Sequence, residues 1–238
     1  ALYLGQTPPG LTPEPFASGM VSTEHWEYGA AFTPDLTEFY FIRSGGAYEN
    51  MTFVVSRLEG DEWKESVISP RVGQPFISPD GNTMHLGKRF KVRTKDGWSD
   101  VQDLGGEFGD IRIMRLTASE AGTYYFDEVG NDGDGVIRYS RIVDGEREAP
   151  QRASDAINTG AWLAHQFIAP DESYILWDGR RDEGHGGSDI YISFRQADGS
   201  WSEAQNLGDK VNTHAWEAAA SVTPDGNYLF FHRNVGSE

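Results

Sequence analysis

The 238-residue chain contains no cysteine, and this absence excludes a disulfide framework and any chemistry that needs a thiolate. Cationic side chains are scarce: 20 Lys and Arg stand against 37 Asp and Glu, which gives a formal net charge of −17. Such a balance repels nucleic acid and anionic lipid. Long apolar runs are missing as well, since no stretch approaches the roughly 18 residues that a membrane-spanning helix needs. Composition therefore predicts no nucleic-acid partner and no membrane insertion.

Glycine and aromatic residues, by contrast, are plentiful. The 28 glycines suit a chain with many turns, and the 13% aromatic content with seven tryptophans supplies enough apolar surface for a core. The clearest pattern lies in residues 158–207, where four short runs rich in β-branched and aromatic side chains are separated by Pro, Asp, Gly or Ser. We predict four strands in series, joined by tight turns.

This four-strand unit recurs along the chain, and its first turn is marked by a Pro-Asp pair. The pairs are Pro34-Asp35, Pro79-Asp80, Pro170-Asp171 and Pro224-Asp225, with Leu116 to Ser119 as a degenerate fifth turn. Pro presets φ for a type I turn, and Asp bonds back to the backbone. Successive turns are 45, 39, 52 and 54 residues apart when Ala118 stands for the degenerate one. Units of four strands at such a period indicate propeller blades.

The five turns predict five blades in a single domain that spans residues 1-238. Four blades are expected at about 26-70, 71-106, 107-155 and 156-208. Residues 209-238 would provide the two inner strands of the last blade, and residues 1-17, which align with the outer half of the repeat, would provide the other two. We therefore expect an all-β, five-bladed propeller of four-stranded antiparallel blades, a ring closed by N-terminal strands that complete the last blade.

Three stretches resemble the TolB-type propeller repeat of bacterial proteins: Phe76 to Thr83, Gly186 to Ser193 and Asp198 to Glu203. The resemblance extends over the whole chain and implies the propeller fold. The repeat occurs in bacterial envelope proteins and in propeller enzymes such as ulvan and oligogalacturonate lyases. It therefore implies a periplasmic or secreted location, but it fixes no activity, because one fold hosts many functions. The catalytic residues of those lyases do not map onto this chain residue by residue.

In a propeller the first strand of each blade lines the central axis, and the loops that lead into these strands gather at one mouth, where ligands usually bind. Counting back from the Pro-Asp turns places a set of aromatic and polar residues at this mouth. We predict that they bind the ligand: Trp26, Arg112, Trp162, Trp216, Gln74, His25 and His214.

Three residues at the mouth are candidates for catalysis. Glu27 and Glu217 follow equivalent tryptophans, so two carboxylates are expected to face each other, as in glycoside hydrolysis. His165 lies in an otherwise apolar first strand, and as a general base it would take Glu217 or Glu27 as its orienting acceptor. The structural alternative is that the tryptophans pack between blades, the glutamates bond to backbone or to Arg112, and His165 is a satisfied core residue.

The sequence contains one modest metal signal. Asp132 and Asp134 lie in an Asn-Asp-Gly-Asp-Gly stretch that resembles a calcium loop, but the stretch lacks the distal Glu and falls where a hairpin turn is expected. We expect no cofactor, with calcium at these two aspartates as the alternative.

Three functions are compatible with these patterns. The first is a monomeric binding module that holds a saccharide, another small polar molecule or a protein partner at the central mouth. The second is a carbohydrate-active enzyme, a polysaccharide lyase or a glycoside hydrolase, that uses Glu27, Glu217 and His165 in the central channel. The third is a scaffold with no small ligand.

Overall fold

The computed structural model describes residues 1–236, which form an all-β fold with a propeller arrangement. Two short 3-10 helices, Tyr3–Gly5 and Gly106–Phe108, are the only helices in that part of the chain. None of the helices within residues 1–236 is long and apolar enough to cross a membrane.

The first two sheets follow chain order outward from the axis. The first contains β1 (Trp26–Phe32), β2 (Glu38–Gly45), β3 (Tyr48–Glu59) and β4 (Glu62–Pro70). The second contains β5 (Pro75–Ile77), β6 (Thr83–Leu86) and β7 (Arg89–Thr94), and β7 pairs on its outer side with both β8 (Gly97–Trp98) and β9 (Gln102–Asp103).

The third and fourth sheets repeat the pattern. The third contains β10 (Leu116–Ala118), β11 (Tyr124–Glu128) and β12 (Val136–Ser140), then a separate hairpin of β13 (Ile142–Val143) and β14 (Glu146–Arg147), and finally β15 (Gln151–Arg152), which pairs with β12. The fourth contains β16 (Ala161–Ile168), β17 (Tyr174–Arg180), β18 (Asp189–Phe194) and β19 (Gln205–Asn206).

The prediction of five blades is wrong, because the structure has four. After the fourth blade the chain forms a two-stranded sheet of β20 (Trp216–Val222) and β21 (Leu229–Asn234), and within residues 1–236 no further strand pairs with it. This sheet lies between the fourth blade and the first, since β20 contacts β16 to β18 and β21 contacts β1. The single-domain prediction for 1-238 stays a prediction, and residues 237 and 238 of its last segment lie outside the described residues.

The N-terminal residues do not complete this sheet, for two reasons. Tyr3, Leu4 and Gly5 have φ values of 53°, 53° and 78°, so the stretch that aligns with a third strand is a left-handed turn instead. The following residues include prolines at positions 8, 9, 13 and 15, which have no N–H to donate to a strand ladder. Residues 1–17 are therefore similar in sequence to the outer half of the repeat but do not pair as its strands.

Side chains, rather than backbone hydrogen bonds, hold the N-terminal segment in place. The Tyr3 hydroxyl donates to Oδ2 of Asp225 at 2.6 Å, and its ring meets the ring of Tyr228 edge-on at 4.8 Å. Phe16 lies 4.7 Å from Phe230 and 5.3 Å from Phe39, measured between ring centroids. The segment thus packs against the junction of β21 and the first blade.

The predicted Pro-Asp turns are confirmed in their hydrogen bonds. Asp35, Asp80, Asp171 and Asp225 each accept the backbone N–H two residues later at 2.9–3.2 Å. Hydrogen bonds to these carboxylates keep the pKa of all four below the ordinary value, against the opposing effect of partial burial. The turns therefore anchor the ends of β1, β5, β16 and β20.

Candidate functional site

Three inner strands, β1, β16 and β20, share a backbone irregularity near the axis. Gly29, His165 and Ala219 stand five residues before Pro34, Pro170 and Pro224, and their φ values are 74°, 48° and 55°. At each place the pairing with the next strand shifts register. A left-handed conformation costs an L-residue roughly 1–2 kcal/mol, so His165 and Ala219 need support from their surroundings.

Two buried aspartates give that support. Oδ2 of Asp127 accepts the N–H of His165 at 2.8 Å, and Oδ1 accepts the N–H groups of Met114 and Arg115 at 2.9 and 3.0 Å. Oδ1 of Asp178 accepts the N–H of Ala219 at 2.9 Å. Each carboxylate stabilises the bulge of the inner strand that follows it in the chain. Burial raises the pKa of Asp127, although His165 and these backbone donors oppose that effect.

Asp178 also orients the imidazole of His165. Nδ1 lies 2.9 Å from Oδ1 and 3.0 Å from Oδ2, and the His165 and Asp178 side chains are 9% and 2% exposed. Burial alone would lower the pKa of His165, but the Asp178 carboxylate favours the cation and raises the pKa above its ordinary value. The orienting acceptor is therefore Asp178, where the sequence had suggested Glu217 or Glu27.

An aromatic arc extends from His165 around the mouth. It consists of His165, Trp216, His232, Trp26 and Tyr28, and successive ring centroids are 6.3, 5.7, 5.3 and 4.4 Å apart. All members except His165 are half-buried, so each keeps part of its ring surface open. The guanidinium of Arg71 lies 6.0 Å from the Tyr28 ring and ends the arc with a cation. The arc presents several ring faces and edges side by side.

His232 is held at the centre of the arc by a hydrogen bond to the backbone. Its Nδ1 lies 2.7 Å from the carbonyl oxygen of Glu27, which requires a proton on Nδ1. Burial lowers the pKa of His232, and the cationic form of nearby His165 adds to that effect. The pKa values of the two histidines that flank Trp216, His165 and His232, are therefore shifted in opposite directions.

A cleft of about 1260 Å³ opens beside the arc. Its walls are residues 227–236, the N-terminal residues 6–16 and residues 21–30 at the start of the first blade. Trp26, Tyr28 and His232 belong to both the arc and the cleft. A ligand on the arc would therefore have open space on one side.

Glu27 and Glu217 take part in two matching triads. Glu217 accepts from the hydroxyl of Thr213 at 2.6 Å and from Nε of Arg233 at 2.8 Å. Glu27 bonds to the hydroxyl of Thr23 in the same way and lies 3.3 Å from Nε of Arg43. The Glu217 side chain is fully buried and that of Glu27 is 10% exposed. Each carboxylate has its own arginine, and neither of these arginines is Arg112. Their predicted catalytic role stays a prediction.

The remaining predicted residues are distributed around the mouth rather than gathered. Trp162 is 55% exposed and donates its backbone N–H to Gly133, away from the arc. His25 lies against Gly45 and Gly46, whereas Arg112 and His214 are exposed. Gln74 is buried near the axis, and its Oε1 has no partner within residues 1–236. Of the predicted set, the structure brings Trp26, His165 and Trp216 together.

Asp178 and Arg115 lie at the site but are not among the residues predicted from the sequence. Arg115 is 1% exposed and donates from Nη1 to the carbonyls of His165 and Ala220 at 3.2 and 2.8 Å, so it ties three inner strands together. Burial lowers its pKa to about 10.

The sequence holds one signal for Arg115. In the third blade Glu120 takes the place of the turn proline, because the bonds around Ser119 match those around Ser78. Arg115 lies five residues before Glu120, as His165 lies five residues before Pro170. Asp178 gives no such signal, because the sequence pattern ends the strand at Trp177 and makes Asp178 the first residue of a polar loop, whereas it lies within β17.

The predicted calcium loop forms a tight turn. The N–H of Asp134 donates to the carbonyl of Asn131 at 3.1 Å, and Asp132 has a φ of 51°. Among residues 1–236 no group of three or more His, Asp or Glu side chains is placed to hold a metal ion. Calcium binding at Asp132 and Asp134 stays a prediction.

A second, smaller cavity of about 210 Å³ lies at the opposite end of the inner strands. Its rim contains the four turn prolines, Pro34, Pro79, Pro170 and Pro224, and its wall includes Phe76, Phe167 and Phe230. Apolar side chains dominate this end. The polar groups near the axis, such as His165 and Asp178, lie instead at the mouth that carries the arc.

Comparison with known proteins supports the fold. No protein-family model and no curated protein matches the chain. TolB from Acinetobacter baumannii aligns with a TM-score of 0.51 and 14% identity over 91% of this chain and 56% of its own, so this chain spans just over half the length of that protein. A thermostable family-43 glycoside hydrolase aligns with a TM-score of 0.52 and 13% identity over 88% of this chain and 84% of its own.

A gluconolactonase from Xanthomonas campestris is similar to the same degree, with a TM-score of 0.52 and 12% identity over 87% of this chain and 82% of its own. These three proteins are named for different roles, and their identities to this chain are low. The likeness therefore shows a propeller fold and leaves the activity open.

Proposed function

We propose that this chain is a propeller binding module, built from TolB-type repeats and located in the bacterial envelope or the secreted space. Its ligand, a saccharide or another small polar molecule, would lie on the aromatic arc at the central mouth. The observation that carries the proposal is the unbroken contact of rings from His165 to Tyr28 beside an open cleft. The location rests on the TolB-type resemblance.

The arc has the chemistry of a ligand platform. Indole and phenol rings offer large apolar faces at a low entropic cost, and polar groups at their edges fix orientation. His165 contributes Nε2, because Asp178 already occupies Nδ1. Arg71 contributes a cation at the other end of the arc. A small polar molecule with an apolar ring face could stack on these rings and bond to the polar groups of His165 and Arg71.

Saturation-transfer NMR with a panel of neutral and acidic oligosaccharides tests the proposal. For any sugar that binds the wild type, Trp216→Ala should weaken binding roughly tenfold or more, since truncating a central aromatic anchor typically costs over 1 kcal/mol. Trp162→Ala is the matched control, because Trp162 is exposed but lies outside the arc. Equal binding by wild type and Trp216→Ala would contradict the assignment of the arc.

The His165–Asp178 pair favours a second candidate, a carbohydrate-active enzyme of the lyase or hydrolase type. A buried carboxylate that fixes one imidazole nitrogen leaves the other free to transfer a proton. In this candidate His165→Gln should lower turnover of a polysaccharide by about 10²–10⁴-fold while the protein stays folded. A wild type that binds oligosaccharides but converts none of them would favour the binding module.

A further inference from the structure

The small cavity at the end of the inner strands opposite the mouth has aromatic walls. It has a volume of about 210 Å³, and its lining includes Phe32, Phe76, Phe167, Tyr174 and Phe230. The Phe76 and Phe167 rings meet edge-on at 6.2 Å, and the Phe167 ring lies 6.4 Å from that of Tyr174. An apolar cavity of about 150 Å³ is enough to hold a benzene-sized molecule. The cavity therefore has room for a small ligand with an apolar body.

The rim of this cavity carries a carboxylate. Among residues 1–236, the lining contains one charged side chain, the exposed Glu120, which takes the place of the turn proline in the third blade. No ion pair within those residues includes Glu120. The four turn prolines beside it have no N–H, so they offer an anion no backbone donor. The rim is therefore suited to a positively charged group.

Four more carboxylates lie next to the rim, because an aspartate follows each turn proline. The pKa values of Asp35, Asp80, Asp171 and Asp225 lie below the ordinary value, so all four are ionised at neutral pH. Arg93 lies near Asp35 and offsets part of this charge. Charges of one sign around a concave site raise the local concentration of the opposite ion, and the net charge of −17 acts in the same direction. This end of the axis therefore attracts cations.

We propose that the small cavity binds an organic cation, an ammonium group with a small apolar or aromatic body. The body lies among the aromatic rings, and the charge faces Glu120 at the rim. Ring faces carry partial negative charge, so they attract a cation and also cover its apolar surface. The site lies at the opposite end of the inner strands from the aromatic arc, and it does not depend on the proposed small-ligand function.

Three ammonium compounds probe the site: choline, tetramethylammonium and benzylammonium. Saturation-transfer NMR follows their binding, and the neutral control is the alcohol in which carbon replaces the nitrogen of choline. Choline should bind roughly tenfold more tightly than this alcohol, because the alcohol has the same shape but no charge to face the rings and the carboxylate. Equal affinities would overturn the proposal, since the cavity would then recognise apolar shape alone. The absence of saturable binding by all three cations would overturn it as well.

Two substitutions in the cavity test the assigned contacts. Glu120→Gln should weaken choline binding roughly threefold or more, because it removes the carboxylate at the rim. Glu203→Gln is the matched control: Glu203 is exposed and does not line the cavity, but its substitution changes the net charge equally. Phe167→Leu keeps an apolar wall and removes one ring, so it should weaken choline roughly threefold and leave the alcohol unaffected. Circular dichroism checks that each variant is folded.

A further variant separates the small cavity from the aromatic arc, whose rings could also attract a cation. Trp216→Ala removes a ring of the arc and should leave choline binding unchanged, because Trp216 does not line the small cavity. A loss of choline binding in Trp216→Ala would assign choline to the arc and overturn the proposal. Choline binding that is the same in Glu120→Gln as in the wild type would also overturn it.

Discussion

Nδ1 of His165 lies 2.9 Å from Oδ1 of Asp178, and the same carboxylate oxygen accepts the N–H of Ala219 at 2.9 Å. One oxygen therefore joins a titratable side chain of the fourth blade to the backbone bulge of β20. The charge state of the mouth and the shape of an inner strand consequently depend on a single carboxylate.

Asp178→Asn should lower the pKa of His165, because the amide removes the negative charge that offsets burial of the imidazole. An NMR titration of the imidazole Cε1–H signals measures this change. His85 is an internal control: burial lowers its pKa to about 3, and it should stay neutral in both proteins. An unchanged His165 pKa in the variant would contradict the assigned cause.

The raised pKa of His165 also predicts how stability varies with pH. Because the folded-state value lies above the ordinary value of about 6.5, the extra stability is fully present below pH 6.5 and is lost as pH rises through the folded-state pKa. Urea unfolding of wild type and His165→Gln should therefore show a larger difference at pH 5.5 than at pH 9. The opposite slope would mean that the imidazole is held neutral.

Glu217→Gln should lower the free energy of unfolding by about 2–4 kcal/mol, because it leaves Arg233 without its buried partner. Glu27→Gln should cost less, since Arg43 keeps Glu65 at 2.9 Å. Urea denaturation of both variants measures the difference. If Glu217→Gln unfolds like the wild type but loses all turnover of a polysaccharide, the carboxylate is catalytic rather than structural.

Asp127→Ala should destabilise the protein by at least about 3 kcal/mol, because three buried backbone N–H groups lose their acceptor and each such loss costs roughly 1–3 kcal/mol. Thermal unfolding followed by circular dichroism is the measurement. Asp198→Ala, in the exposed turn after β18, is the control and should unfold close to the wild-type temperature. Similar losses in the two variants would contradict the special role of Asp127.

Phe16→Ala should cost about 2–4 kcal/mol, since the ring packs against Phe39 and Phe230 beneath the N-terminal segment. Leu11→Ala is the matched control in the same segment; Leu11 is 86% exposed, so its loss should stay within about 0.5 kcal/mol. Chemical denaturation compares the two. Equal stabilities would show that the segment is not part of the cooperative fold.

Much of the fold could be predicted from local chemistry. Pro-Asp turns and alternating strands follow from backbone preferences that the sequence carries, and the four complete sheets appear where the turns place them. The blade count was wrong because side-chain similarity in residues 1–17 was read as strand pairing. The prolines in that segment and the left-handed backbone of Tyr3 and Leu4 favour a different conformation.

The site was only partly predictable, because it depends on which strands meet. Trp26 and Trp216 occupy equivalent positions and both belong to the arc. Trp162 lies at an additional register shift of β16 and is not part of the arc. Asp178 lies on β17, the second strand of its blade, and contacts His165 at the mouth. The sequence prediction considered the first strands and their entry loops, so it did not include Asp178.

The two Thr-Glu-Arg triads also restrict where this scaffold tolerates change. Thr213 meets Glu217 through both its hydroxyl and its own N–H, as Thr23 meets Glu27, so the connection between them has a fixed length. An added or deleted residue there would break the hydrogen bonds that each threonine makes to its glutamate. New loops for engineering should instead enter at the hairpin of β13 and β14, whose side chains Ile142 and Val143 already face solvent.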